Sequence, residues 1–82
     1  MKEVTIDCTN LLSPAQLHRA FAQALSFPAW YGCNGNALHD CLTAIRQDTT
    51  LILRNFDPGM TSFLRVLEDS QKENKHLTIL FK

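Results

Sequence analysis

Charge is what the middle of this chain has least of: from Ala20 to Ile45 the only formally charged side chain is Asp40. Other absences narrow the functional classes. No apolar run approaches the roughly 18 to 20 residues that a membrane-spanning helix needs, and Met1-Lys2-Glu3 leads into a strand-like pattern, not a signal-peptide core. A soluble, cytoplasmic protein with no membrane partner is the expectation. Eight basic and eight acidic side chains cancel, and the basic ones are scattered, so direct nucleic-acid binding is not expected. The three cysteines, Cys8, Cys33 and Cys41, are an odd number without CxxC or other metal-ligand spacing. Reduced thiols fit that pattern better than a disulfide framework, and no metal or cofactor is expected. No Gly-rich phosphate loop is present either.

At 82 residues the chain reads as a single domain spanning 1–82, without repeats, linkers or low-complexity tracts. A chain of this size hides only about 60 to 65% of its unfolded surface, which leaves little room for a deep internal pocket. Recognition on a flat or convex surface is therefore favoured over buried catalysis.

Val4, Ile6 and Cys8 alternate with Thr5 and Asp7, the period of a first strand with one buried face. Ser13-Pro14-Ala15-Gln16 supplies an N-cap, a proline at the first helical position and a capping-box glutamine. Leu17, Phe21, Ala24 and Leu25 then recur at helical spacing to about Leu25. Pro28 and Gly32 bound an irregular loop, and Asn34-Gly35-Asn36 caps a second helix. Its inward stripe is Ala37, Leu38, Cys41, Leu42 and Ile45; its outward face holds Asn36, His39, Asp40, Thr43 and Gln47. Thr50 to Leu53 predicts a second strand ended by Asp57-Pro58-Gly59, then a third helix with Met60, Phe63, Leu64 and Leu67 inward. Leu77 to Phe81 closes the chain as a third strand. Crossover connections of this length imply parallel strands, and right-handed crossovers put every helix on one side. The fold class is α/β: two layers, a three-stranded parallel sheet and three main helices, with Thr5, Asp7 and Thr78 on an open sheet face.

The lone carboxylate of Asp40 thus shares a helix face with amides and an imidazole, next to the aromatic loop Trp30-Tyr31. A solvated surface aspartate is the ordinary reading of such a residue. Tyr31 beside Gly32 serves equally well as a core lid or a contact, whereas Trp30 suits a binding anchor. Asp69 has Arg65 and Lys72 within helical reach for a weak surface pair. His18 reads as structural or merely exposed, and Cys8 and Cys41 as small buried fillers. Cys33 near His39 and Asp40 imitates a nucleophile, base and orienting acid. However, His39 and Asp40 diverge by about 100° around the helix, so the carboxylate is poorly placed to orient the imidazole. A metal site of Cys33, His39 and Cys41 fails because Cys41 points inward.

The block Phe27-Pro28-Ala29-Trp30-Tyr31-Gly32, Asn34 and Ala37-Leu38-His39-Asp40-Cys41-Leu42-Thr43, supported by Leu17-His18 and Leu77-Thr78-Ile79-Leu80, resembles the barstar family of intracellular ribonuclease inhibitors. The resemblance covers nearly the whole chain. It implies a non-enzyme that acts as a bacterial antitoxin or immunity protein, monomeric when free. Its loop and second helix would enter a nuclease active site, with Asp40 in the place of a substrate phosphate. Partner contacts implied in this way are Trp30, Tyr31, Asn34, Asn36, His39, Asp40, Thr43 and, peripherally, Asp69. Such a role is physically reasonable, since a nuclease gathers cations to hold phosphate and a carboxylate on a rigid helix accepts their charge-assisted hydrogen bonds. The chain also departs from the family pattern. Trp30 stands for a contacting tyrosine, His39 for a contacting tryptophan and Asn36 for a second aspartate, while Asp57-Pro58-Gly59 replaces a short helix. The neutral balance weakens long-range steering of a basic partner. Two alternatives stay open: a barstar-fold adaptor for a partner that is not a nuclease, and a small thiol enzyme using Cys33.

Overall fold

A computed structural model describes residues 2–82, in the order β1 (Lys2–Asp7), α1 (Pro14–Ala24), α2 (Gly35–Thr43), β2 (Thr49–Arg54), α3 (Thr61–Glu73) and β3 (Leu77–Phe81). The strands form one parallel sheet in the order β1-β2-β3, so the α/β class and the three helices agree with the sequence pattern. Register places Val4, Leu51 and Ile79 in one row, with Ile6 beside Leu53 in the next. These side chains, with Leu77, form the sheet half of the core. The opposite face shows Thr5, Asp7 and Thr78 to solvent, and Leu80 beside them is 40% exposed. Alternation with period two dictates this division, because a one-residue slip would turn every apolar side chain outward.

Helix α1 starts as its residues require. Ser13 Oγ accepts the Gln16 N–H and Pro14 occupies the first turn. The capping-box glutamine reaches one residue further back than the simple motif, its Oε1 accepting the Leu12 N–H at 2.8 Å. The helix ends in a Schellman-type turn: Phe27 N–H bonds Ala22 O at 2.9 Å across Ser26 at φ 56°, a left-handed position more often filled by glycine. Leu17 and Phe21 are buried on its inner face, and the Phe21 ring meets Phe63 of α3 edge-on at 5.2 Å.

Helix α2 is shorter than its periodicity predicts. It stops at Thr43, with Ala44 as C-cap, so Ile45 and Gln47 lie beyond it. The cause is tertiary: the Asn74 amide, buried at the end of α3, donates to Leu42 O and Ile45 O, both at 2.9 Å. These are carbonyls that a longer helix would have bonded internally, and their new donor stabilises the stop. The Asn74 Oδ1 accepts the His76 N–H at 2.9 Å, so one side chain joins the ends of α2 and α3 to the start of β3. On the free edge of β3, the Ile79 N–H is taken by Gln71 Oε1 of α3. Leu38 and Leu42 of α2 and Leu67 of α3 complete the helix half of the core. None of the helices among the described residues is long and apolar enough to cross a membrane.

Candidate partner-binding site

The segment from Ser26 to Ala44 is built from a turn, a cap and a helix. Tyr31 N–H bonds Pro28 O at 2.9 Å, a tight turn that throws Trp30 outward, where it remains 80% exposed. Its neighbour goes the other way. The Tyr31 ring lies half-buried, 4.9 Å from Phe27 and 5.7 Å from the His18 ring, and its hydroxyl is hydrogen-bonded to His18 Nδ1 at 2.6 Å. Burial pushes the Tyr31 phenol far above its ordinary range and draws the His18 imidazole below its own, so both stay neutral under the loop. His18 is therefore structural and buried, its ring also packed edge-on against Phe63 at 5.0 Å. Tyr31 thus packs against the core from the loop while its ring stays only partly buried.

Asn34 then caps α2, its Oδ1 accepting the Ala37 N–H at 2.8 Å while its Nδ2 donates to Gly32 O at 3.3 Å. Gly32 is small for a reason: a Cβ there would come within 3.0 Å of that same amide. The left-handed residue of the turn is neither flanking glycine but Cys33, at φ 52°.

The outward face of α2 carries Asn36, His39, Asp40 and Thr43. Thr43 Oγ1 is turned back onto the helix, donating to His39 O at 2.7 Å. Asp40 is the opposite case. Its carboxylate is 85% exposed and has only the His39 Nδ1, at 4.0 Å, within ion-pair distance; it accepts no hydrogen bond within the described residues. Asp69 is exposed on α3 and forms no ion pair with Arg65 or Lys72, so the surface pairing weighed for it is not made. Trp30, Phe27, Pro28, Gly32, Cys41 and Ala44 surround an open, mainly apolar groove of about 510 Å³ with Asp40 as its one charged lining residue. Cys41 thus departs from the expectation of an inward filler: it is half-buried, and its side of the helix forms one wall of the groove whose other wall is the loop. Cys8 is buried, as its position on the inward stripe implied.

Helix α3 brings in a residue that sequence reasoning did not name. Glu73 Oε2 lies 2.7 Å from His39 Nε2. The His39 imidazole is raised above its ordinary value first by that hydrogen bond and then by the charges of Glu73, Asp40 and Asp69. Glu73 stands one helical turn beyond Asp69, so the i, i+4 rule applied to Asp69 would have found it. Cys33 stands apart from this group. It lines a separate depression with His18, Phe63 and Val66, so the imagined combination of Cys33 with His39 and Asp40 does not form. Among the described residues no three His, Cys, Asp or Glu are grouped so as to hold a metal ion.

The profile of the family described as Barstar (barnase inhibitor) matches residues 1–82. A Bacillus subtilis (strain 168) protein named "Putative ribonuclease inhibitor YrdF" is 34% identical over 83 aligned positions, covering 92% of this chain and 91% of its own length. Fold, loop and helix arrangement agree with a match over the full chain, and the protein belongs to the barstar family.

Proposed function

We propose that this protein is an intracellular inhibitor that docks the Trp30 loop and helix α2 onto the active site of a basic ribonuclease or related nuclease toxin. One observation carries the reading: an 85% exposed Asp40 carboxylate, held only by a 4.0 Å approach to His39 Nδ1, at the rim of an apolar groove beside an 80% exposed tryptophan. A carboxylate that accepts no hydrogen bond among the described residues is available to cations from another molecule, and a rigid helix fixes where they must be. Trp30 supplies the apolar anchor and excludes water around the charge pair. Tyr31 and Asn34 support from within, their polar atoms being engaged in the fold. Asn36, Asp69 and Glu73 form the polar rim. The family membership and the relative's printed name support a ribonuclease as the partner class. The protein performs no chemistry in this reading; it occupies the place of the phosphate and offers no scissile bond.

The deciding experiment compares wild type with Asp40→Ala in pull-downs from the source cell and in binding calorimetry. The expected outcome is a loss of about 2 to 5 kcal/mol of binding with folding stability unchanged within about 0.5 kcal/mol. Full binding by Asp40→Ala would remove the phosphate-mimic role.

A further inference from the structure

His39 occupies an unusual place for a contact residue. Its side chain is one third exposed on the outward face of α2, with Nε2 at 2.7 Å from Glu73 Oε2 and Nδ1 at 4.0 Å from Asp40 Oδ1. Both ring nitrogens therefore face carboxylates. The two acids come from different helices, and Asp69 adds its charge from α3. Arg46, Lys72, Lys75 and His76, the last paired with Asp48 at 2.8 Å, border the adjacent depression with Thr43 and Glu73.

We propose that the His39–Glu73 pair makes partner capture proton-linked: a cationic partner seated on Asp40 expels the imidazole proton, so affinity weakens as the medium is acidified. The inference rests on the functional reading above and deepens it. In the free protein three carboxylates favour the imidazolium, which bridges α2 to α3. Once a partner's cations engage Asp40, the same imidazolium lies among like charges and loses the counter-charge of Asp40, so its protonated form is disfavoured. The free protein then holds the more readily retained proton, and by linkage the affinity is full above the free-protein titration and declines below it. For one proton the limiting slope is about tenfold in Kd per pH unit. Glu73 has two roles in this scheme: it holds the proton before binding, and it is left as a rim carboxylate without a counter-charge when the proton leaves, while a neutral imidazole can still donate Nε2–H to it.

The test has two arms. In the free protein, the His39 ring titration is followed by NMR in wild type, Glu73→Gln and Asp40→Asn; the larger downward move is expected in Glu73→Gln, and an unmoved titration there overturns the pair. In the second arm purified barnase is the probe, titrated calorimetrically from about pH 5 to pH 8 into wild type and His39→Gln, in two buffers of different ionisation enthalpy. Wild type should release up to one proton more than His39→Gln and show the steeper acid loss; histidines of barnase contribute equally to both and cancel. Equal proton release in the two proteins overturns the linkage while leaving the functional reading intact. Wild type that binds barnase at no pH counts against the functional reading, and the linkage falls with it.

Discussion

The two faces of helix α2, built from alternating stretches of the same short sequence, do opposite work. Leu38 and Leu42 are fully buried, while Asp40 between them is 85% exposed in its side chain. Burial of a leucine contributes a stabilisation of about 1.5 to 3 kcal/mol, whereas a solvated carboxylate contributes almost nothing to folding. The adjacent pair Trp30 and Tyr31 repeats the division in the loop. Stability and recognition are thus carried by neighbours in sequence that point in opposite directions, and single substitutions should separate them.

The largest expected effect is on the buried side. Leu42→Ala should cost about 2 to 5 kcal/mol of folding free energy through the cavity it leaves, measured by denaturant unfolding, while the folded fraction still binds. If Asp40→Ala lost as much stability, the separation between the two faces would be broken. Next comes Asn74→Ala, which strips the buried carbonyl of Leu42 and the carbonyl of Ile45 of their amide donor; about 1 to 3 kcal/mol is expected, with increased amide exchange at the end of α2. Tyr31→Phe should cost about 1 to 2 kcal/mol, since it leaves His18 Nδ1 without its partner under the loop; an unchanged unfolding midpoint would return Tyr31 to the contact surface alone. Trp30→Ala sharpens the contrast with it. Folding should change by less than about 0.5 kcal/mol, and binding should weaken by about 2 kcal/mol.

The smallest effects are pH-dependent, and the two histidines have opposite signs. His18, drawn below its ordinary value by burial, contributes stability that is complete above the unfolded value of roughly 6.5. That contribution is lost as pH falls through the folded value, because the unfolded chain binds the extra proton. His39, raised first by its hydrogen bond to Glu73, contributes stability that is complete below the unfolded value and is lost as pH rises through the folded one. The contributions partly cancel in wild type. His39→Gln should therefore lose more stability than wild type between about pH 7 and pH 5, read from urea midpoints; parallel curves would show that the Glu73 pair contributes nothing to the fold.

Elements whose cause is local were legible without the structure. Ser13 and Asn34 cap their helices, β3 runs over Leu77–Phe81 as its alternation implies, and Asp40 faces outward because helical spacing leaves it no other side. Local rules fail where a distant partner intervenes. The periodicity of α2 continues through Ile45, yet the helix stops at Thr43 because an amide 29 and 32 residues away satisfies its last carbonyls. Cys41 obeys the inward stripe in spacing but not in burial, since its side of the helix borders the open groove between loop and α2 and not the closed core.

What this sequence determined by itself is therefore the order of strands and helices, the caps that begin α1 and α2, and the isolation of one carboxylate on a polar face. These follow from hydrophobic period, turn chemistry and charge spacing, which act within about one or two helical turns. Only the tertiary structure decided that Tyr31 would be held by His18, that Cys33 would lie away from His39, and that His39 would meet Glu73 from 34 residues along the chain. Those contacts depend on how α2 packs against α3 and how Tyr31 of the loop seats against His18 of α1, and packing geometry is fixed by the shape of the whole core, which no local pattern contains.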